Sequence, residues 1–148
     1  MTHTFTPTRR VPPLPGTTLL GLKATTLLEL GNAARQGFQT AALERFARHL
    51  GLTLADTLDL IRLSESTYHS YRRKGQPLSS DDSTQLYHLA RVTEAAEAYF
   101  QSVTEAHRWL MTPRATFGDH TPLQFALLPG GAEYVTTVLS RLEHGVYT

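Results

Sequence analysis

The chain has 148 residues, 14 Lys and Arg against 13 Asp and Glu, and no cysteine. That length fits one ordinary domain or two small modules sharing a core, and the missing cysteines exclude disulfide frameworks and thiolate metal sites, which suits a reducing cytoplasm. No apolar run approaches the roughly 18 residues of a membrane span, and the opening residues lack the apolar core of a signal peptide, so the expectation is a soluble cytoplasmic protein with no membrane partner.

The net charge of +1 conceals an asymmetry, since residues 1–78 carry ten basic and five acidic side chains and residues 79–148 carry four and eight. A basic front half suits a polyanion and an acidic back half suits a basic protein surface.

In chain order, residues 1–17 hold Pro7, Pro12, Pro13 and Pro15 with few apolar side chains and read as an extended or disordered arm. Arg9 and Arg10 of this arm are candidates to follow a nucleic-acid backbone, although a solvated arm is the plainer reading. Leucines between Leu19 and Leu30 predict a helix over 23–36, closed by Gly37. Residues 40–50 form an amphipathic helix with Leu43, Phe46, Ala47 and Leu50 on one face and Gly51 as its stop. Thr53 then caps a short helix with Leu54, Leu58 and Ile61 inward, and Ser64 caps the next, over 65–74. Two short helices with Leu63 plugging the corner make a helix-turn-helix.

The second helix of the pair is polar along its length and ends in three cations, a poor core helix and a plausible groove-facing one. Ser64, Ser66 and Thr67 stand at its start, where hydroxyls and free N–H groups hold phosphates or reach base edges. His69 and Ser70 face outward toward bases, and Arg72, Arg73 and Lys74 suit phosphates, with arginine also able to read guanine. The competing reading is a solvated basic helix end favoured by its own dipole.

Ser79 followed by Asp81 and Asp82 starts a long helix running to about Phe100. Its apolar coverage, Leu86, Leu89, Ala90, Thr93, Ala96 and Phe100 with Tyr87, Val92 and Tyr99 off the stripe, is broader than one neighbour requires. It reads as the joint between two modules and as a face for a homodimer. Shorter helices follow over 104–111 and 121–128, separated by a loop over 114–120, and a last helix over 132–144 carries Val135, Val138, Leu139 and Leu142. Nothing alternates over a strand length, so the expected fold is all-α: an arm (1–17), a helix-turn-helix module (18–78), and a second module (79–148) made of the linking helix 79–100 and the helices and tail 101–148.

The sequence holds no recognisable catalytic set. None of the seven histidines stands at metal-ligand spacing on one helix. Gly130-Gly131 has neither a preceding strand nor a P-loop lysine and reads as the turn that starts a helix. We expect no enzyme, no cofactor, no metal and no small-molecule substrate.

The last third carries a more specific pattern: Trp109-Leu110 with Pro113, then Thr121-Pro122-Leu123, then Gly130-Gly131-Ala132-Glu133 with Val135, then Arg141-Leu142-Glu143-His144-Gly145-Val146-Tyr147. This resembles the carboxy-terminal toxin-binding domain of Xre-type antitoxins, the Xre/MbcA/ParS group, and the resemblance spans Leu43 to Tyr147. Asp119-His120 replaces a Gly-Gly usual in the family. The resemblance implies a RES-domain, NAD-consuming toxin as partner, neutralised by the carboxy-terminal segment lying in its active-site cleft. The toxin-binding residues would be Arg141, Glu143, His144, Gly145, Val146, Tyr147 and Thr148, on a structural platform of Trp109, Pro113, Thr121, Pro122 and Leu123. It also implies operator DNA as a second partner, bound by a homodimer repressing its own operon. A different class of reading is a stand-alone helix-turn-helix regulator whose back half senses a ligand in a concave apolar pocket.

Overall fold

The computed structural model describes residues 11–145, and all their regular structure is helical. The arm's first ten residues and Val146, Tyr147 and Thr148 lie outside the described residues. In chain order the elements are α1 (Thr17–Leu20), α2 (Leu27–Gln36), α3 (Thr40–Leu50), α4 (Leu54–Leu60), α5 (Glu65–Lys74), α6 (Ser80–Phe100), α7 (Val103–Leu110), α8 (Pro122–Ala126) and α9 (Gly131–Glu143), with a 3-10 turn at Ala115–Phe117.

Helix α6 is the axis. Its buried positions, Ser83, Leu86, Leu89, Ala90, Val92, Thr93 and Ala96, spread well beyond a single stripe. The breadth expected of a joint between two modules is present inside the chain: α1 and α2 pack against α6, and so do α7, α8 and α9. Val92, placed off the stripe by periodicity, is fully buried because two sets of helices share this one. The hydroxyls of Ser83 and Thr93 return to the carbonyls of Ser79 and Leu89 at 2.7 Å, so neither brings an unsatisfied polar group into the core. Ser83 Oγ also accepts the Phe38 N–H at 2.8 Å, while the Phe38 carbonyl accepts the Leu78 N–H at 2.8 Å. These bonds tie the α2–α3 corner to the start of α6.

The front end departs from the sequence reading. Thr17, assigned to the end of the arm, begins α1 and is fully buried, its hydroxyl donating to the Leu14 carbonyl at 2.6 Å. The Gly16 N–H donates to the Glu94 carboxylate of α6. Helix α1 touches both α3 and α6, so this four-residue element is a wedge between the helix-turn-helix and the axis. Helix α2 starts at Leu27, not residue 23, because Thr26 takes extended backbone and caps the Glu29 N–H. Leu27 and Leu28 then fall on the solvent side, 76% and 74% exposed. Leucine content there is not leucine periodicity.

The helix-turn-helix is α4 and α5, with Arg62 in the left-handed region (φ 56°) and Leu63 buried at the corner. What holds α5 down is Tyr68, fully buried, whose hydroxyl donates to Glu44 Oε1 of α3 at 2.6 Å. In the back half, Phe117 is the feature that a loop assignment over 114–120 overlooks. It is 1% exposed, and its ring meets those of Trp109, Phe125 and Tyr134 at centroid distances of 5.8, 5.2 and 5.9 Å. Asp119 sits at φ 62°, a conformation that Asp tolerates better than most residues. Gly131 is required for a different reason: a Cβ there would stand 1.8 Å from the Phe125 carbonyl oxygen, so only glycine lets α9 start against α8.

Two outcomes follow. Leu20→Ala, in the α1 wedge, should destabilise the chain by about 2–5 kcal/mol in urea unfolding, the cost of emptying a packed core site. Tyr68→Phe should cost about 1 kcal/mol, the net worth of a hydrogen bond. Burial first, and then the bond to Glu44, hold the Tyr68 hydroxyl well above its ordinary range. Its stabilisation is therefore complete below about pH 10 and lost as pH rises beyond it. The Phe variant should lose less stability than the parent in alkaline unfolding measured by circular dichroism.

Candidate functional sites

The first site is the outer face of α5. Ser64 Oγ caps the Thr67 N–H at 3.2 Å and donates to Thr67 Oγ1 at 2.8 Å, so those two hydroxyls are engaged in starting the helix. Ser66 and His69 are exposed, Thr67 and Ser70 half-buried. His69 packs edge-on to Tyr68 at 5.5 Å between ring centroids. Arg72, Arg73 and Lys74 are exposed in the last turn, and Gly75 closes it with its N–H on the Arg72 and Tyr71 carbonyls. The three are not equivalent. Arg72 Nη1 lies 3.6 Å from Glu44 Oε1, the oxygen that Tyr68 also reaches, whereas Arg73 and Lys74 project from the helix end. Glu65 is exposed in the first turn, where the dipole favours it. The structure thus brings six of the eight expected DNA-facing residues to the surface in full and the other two in part.

The second site is the far end of α9. Leu139 is the last buried residue; Leu142 is half-buried, and Arg141, Glu143, His144 and Gly145 are all exposed. His144 is held by its Nδ1 against the Ser140 carbonyl at 2.7 Å, and Gly145 (φ 69°) turns the chain out of the helix. The remaining tail residues of this site lie outside the described residues. Beneath it, Trp109, Pro122 and Leu123 are buried, and Thr121 caps α8 through a capping box with Gln124. Pro113 is different: it is exposed beyond the end of α7, so it stops a helix and contributes nothing to the packed platform. Arg114 lies over the Trp109 ring at 5.4 Å, closing the aromatic cluster from above.

Two further features leave no mark in the sequence pattern. A groove of about 530 Å³ lies between α4 and α8, lined by Asp56, Asp59, Arg62, Gln85, His120 and Gln124 with three leucines. It straddles the two halves and carries charge, unlike the apolar pocket within the back half that a ligand sensor would need. The second is a cluster of His49, Glu97 and His107, from α3, α6 and α7. Glu97 stands 48 residues from His49 and 10 from His107 in sequence, so a search for ligand pairs on one helix passes over the set. Elsewhere on α6, His88 Nδ1 is buried without a hydrogen-bond partner, and burial lowers this imidazole's pKa.

Residues 29–91 match the antitoxin Xre-like helix-turn-helix domain, and residues 95–145 match the antitoxin Xre/MbcA/ParS C-terminal toxin-binding domain. The antitoxin Xre of Pseudomonas putida is 30% identical over 117 residues, covering 79% of this chain and 72% of that protein. The first match contains α5 and the second contains the exposed end of α9. With both domains present on one core and a relative aligned across most of its length, the chain belongs to the Xre-type antitoxins.

Proposed function

We propose that this antitoxin neutralises a RES-domain, NAD-consuming toxin by filling its active-site cleft with the carboxy-terminal segment, and that it represses its own operon through α5. The observation that carries the first half is the exposed last turn of α9. The helix outruns the core at Leu139 and presents Arg141, Glu143 and His144 to solvent within the domain matched to toxin binding. A rigid helix anchored at Gly131, Ala132, Val135 and Leu139 loses little entropy on docking, which favours affinity. Inhibition of this kind is steric and needs no chemistry from the antitoxin. The tail residues Val146, Tyr147 and Thr148 add the apolar and aromatic surface that a cleft would take up.

The second half rests on the cationic exposed face of α5, pinned from behind by Tyr68. An inverted-repeat operator would be read by a homodimer. The half-buried Tyr87, Tyr99 and Phe100 of α6 and the exposed Leu27 and Leu28 at the start of α2 are the apolar surface offered to the second copy. Cytoplasmic residence follows from the same reading; no helix among the described residues is long and apolar enough to cross a membrane.

Deleting residues 141–148 removes no buried side chain among the described residues, so circular dichroism and thermal melting should be close to those of the full chain. Rescue of toxin-expressing cells should be abolished; rescue by the truncated chain would sink the cleft-filling model. An Arg73→Ala/Lys74→Ala double variant spares the ion pair of Arg72 with Glu44. It should bind operator DNA more weakly in gel shift, with the log–log salt slope reduced by roughly 0.9 for each phosphate no longer neutralised. Toxin neutralisation should be unchanged, and equal loss of both activities would argue against separate faces.

A further inference from the structure

Three helices from both halves of the chain bring two imidazoles and a carboxylate to one point. His49 stands in the last turn of α3, Glu97 in the last turn of α6 and His107 in the second half of α7. Glu97 Oε1 is 2.5 Å from His49 Nε2 and 3.0 Å from His107 Nε2, and the three donor atoms lie within 4.8 Å of one another. We propose that this cluster is a binding site for a single Zn²⁺ ion that clips the helix-turn-helix domain to the toxin-binding domain.

The donor set selects the ion. Two nitrogens and one carboxylate oxygen suit zinc, whereas calcium and magnesium take oxygen ligands almost throughout. Tetrahedral donors at zinc bond lengths stand about 3.4 Å apart, so the two histidines need to open by less than about 1 Å from Glu97. Each imidazole would bind through Nε2 with its proton on Nδ1. The Glu97 carboxylate supplies one of the two negative charges that the ion calls for. Three protein ligands leave a fourth position for water, and side-chain exposures of 31%, 17% and 11% for His49, Glu97 and His107 leave the ion a way in. The ring planes of the two histidines meet at 68°, edge to face, so they converge on Glu97 without stacking on each other. His49 falls within the matched helix-turn-helix domain, and Glu97 and His107 fall within the toxin-binding domain. The ion would therefore join the two by coordinate bonds.

The test uses the full chain without an affinity tag, stripped with a chelator and then titrated with Zn²⁺ by calorimetry and with Co²⁺ by visible absorption. One ion per chain should bind at micromolar concentration, Co²⁺ should give the strong visible bands of a four-coordinate site, and Zn²⁺ should raise the thermal midpoint until the chelator is restored. His49→Gln and His107→Gln should each lose stoichiometric binding and the thermal response, while His120→Gln, at an exposed position, should keep both. Absence of stoichiometric binding in the parent chain would overturn the site and leave the cluster a hydrogen-bonded clasp. Binding that survives in both histidine variants would overturn it as well. If a variant fails to fold, X-ray absorption on the zinc-loaded parent decides: two imidazoles with one carboxylate support the site, and any other ligand set rejects it.

Discussion

The constraint on which the structure depends is that one helix of 21 residues must serve as the wall of two domains at once. A surface helix needs one apolar stripe, whereas α6 has neighbours both before and after it in sequence and is buried around much of its circumference. Such a helix must avoid bulky side chains where neighbours approach and must satisfy any polar group it buries. Its small buried residues, Ser83, Ala90, Thr93 and Ala96, meet the first demand, and the hydroxyl bonds to its own carbonyls meet the second. The cost is that neither domain has a core of its own. One cluster of buried apolar residues runs from Leu20 of α1 to Leu139 of α9.

A shared core leaves binding to the rims. On α5 the inward side is held by one buried aromatic ring and one hydrogen bond, which frees the whole opposite side for polar and cationic residues. On α9 the buried anchors run from Gly131 to Leu139, and the last turn continues with only Leu142 half-buried. Both arrangements keep exposed side chains in fixed positions on rigid elements, so little ordering remains to be done when a partner arrives.

How much of this is legible in the sequence varies with the kind of signal. The bounds of α3 and α5 follow from glycines at their ends, Gly51 and Gly75, and the start of α6 from Ser79 and its acidic first turn, because caps are local chemistry. Residue spacing also separates the outer face of α5 from the core helices. The wedge α1 is hidden because four residues cannot display a helical period, and its neighbouring prolines read as disorder. Tyr68 is concealed in a polar run; its partner Glu44 is 24 residues away. Phe117 lies in what composition marks as a loop, and only the fold brings three aromatic rings around it. The His49–Glu97–His107 cluster belongs to the same class, since convergence of three helices leaves no pattern along the chain.

The path between the two rims limits how each can influence the other. From α5 the packing leads to α3, from α3 to α6 both through the α1 wedge and directly through the His49–Glu97 bond, and so to α9. Helix α6 contains neither glycine nor proline between Ser80 and Phe100, so it has none of the usual residues at which a helix kinks. Energetic coupling needs an element with two discrete arrangements, and by linkage it acts equally in both directions. On this path α1 is the shortest element, held by buried Leu20 and Thr17 and by the Gly16–Glu94 bond. Its hold on α3 and the His49–Glu97 bond are the two junctions between α3 and α6 through which a change at either rim would pass. With no glycine or proline hinge within α6, those junctions are the places where coupling between the outer face of α5 and the end of α9 would act.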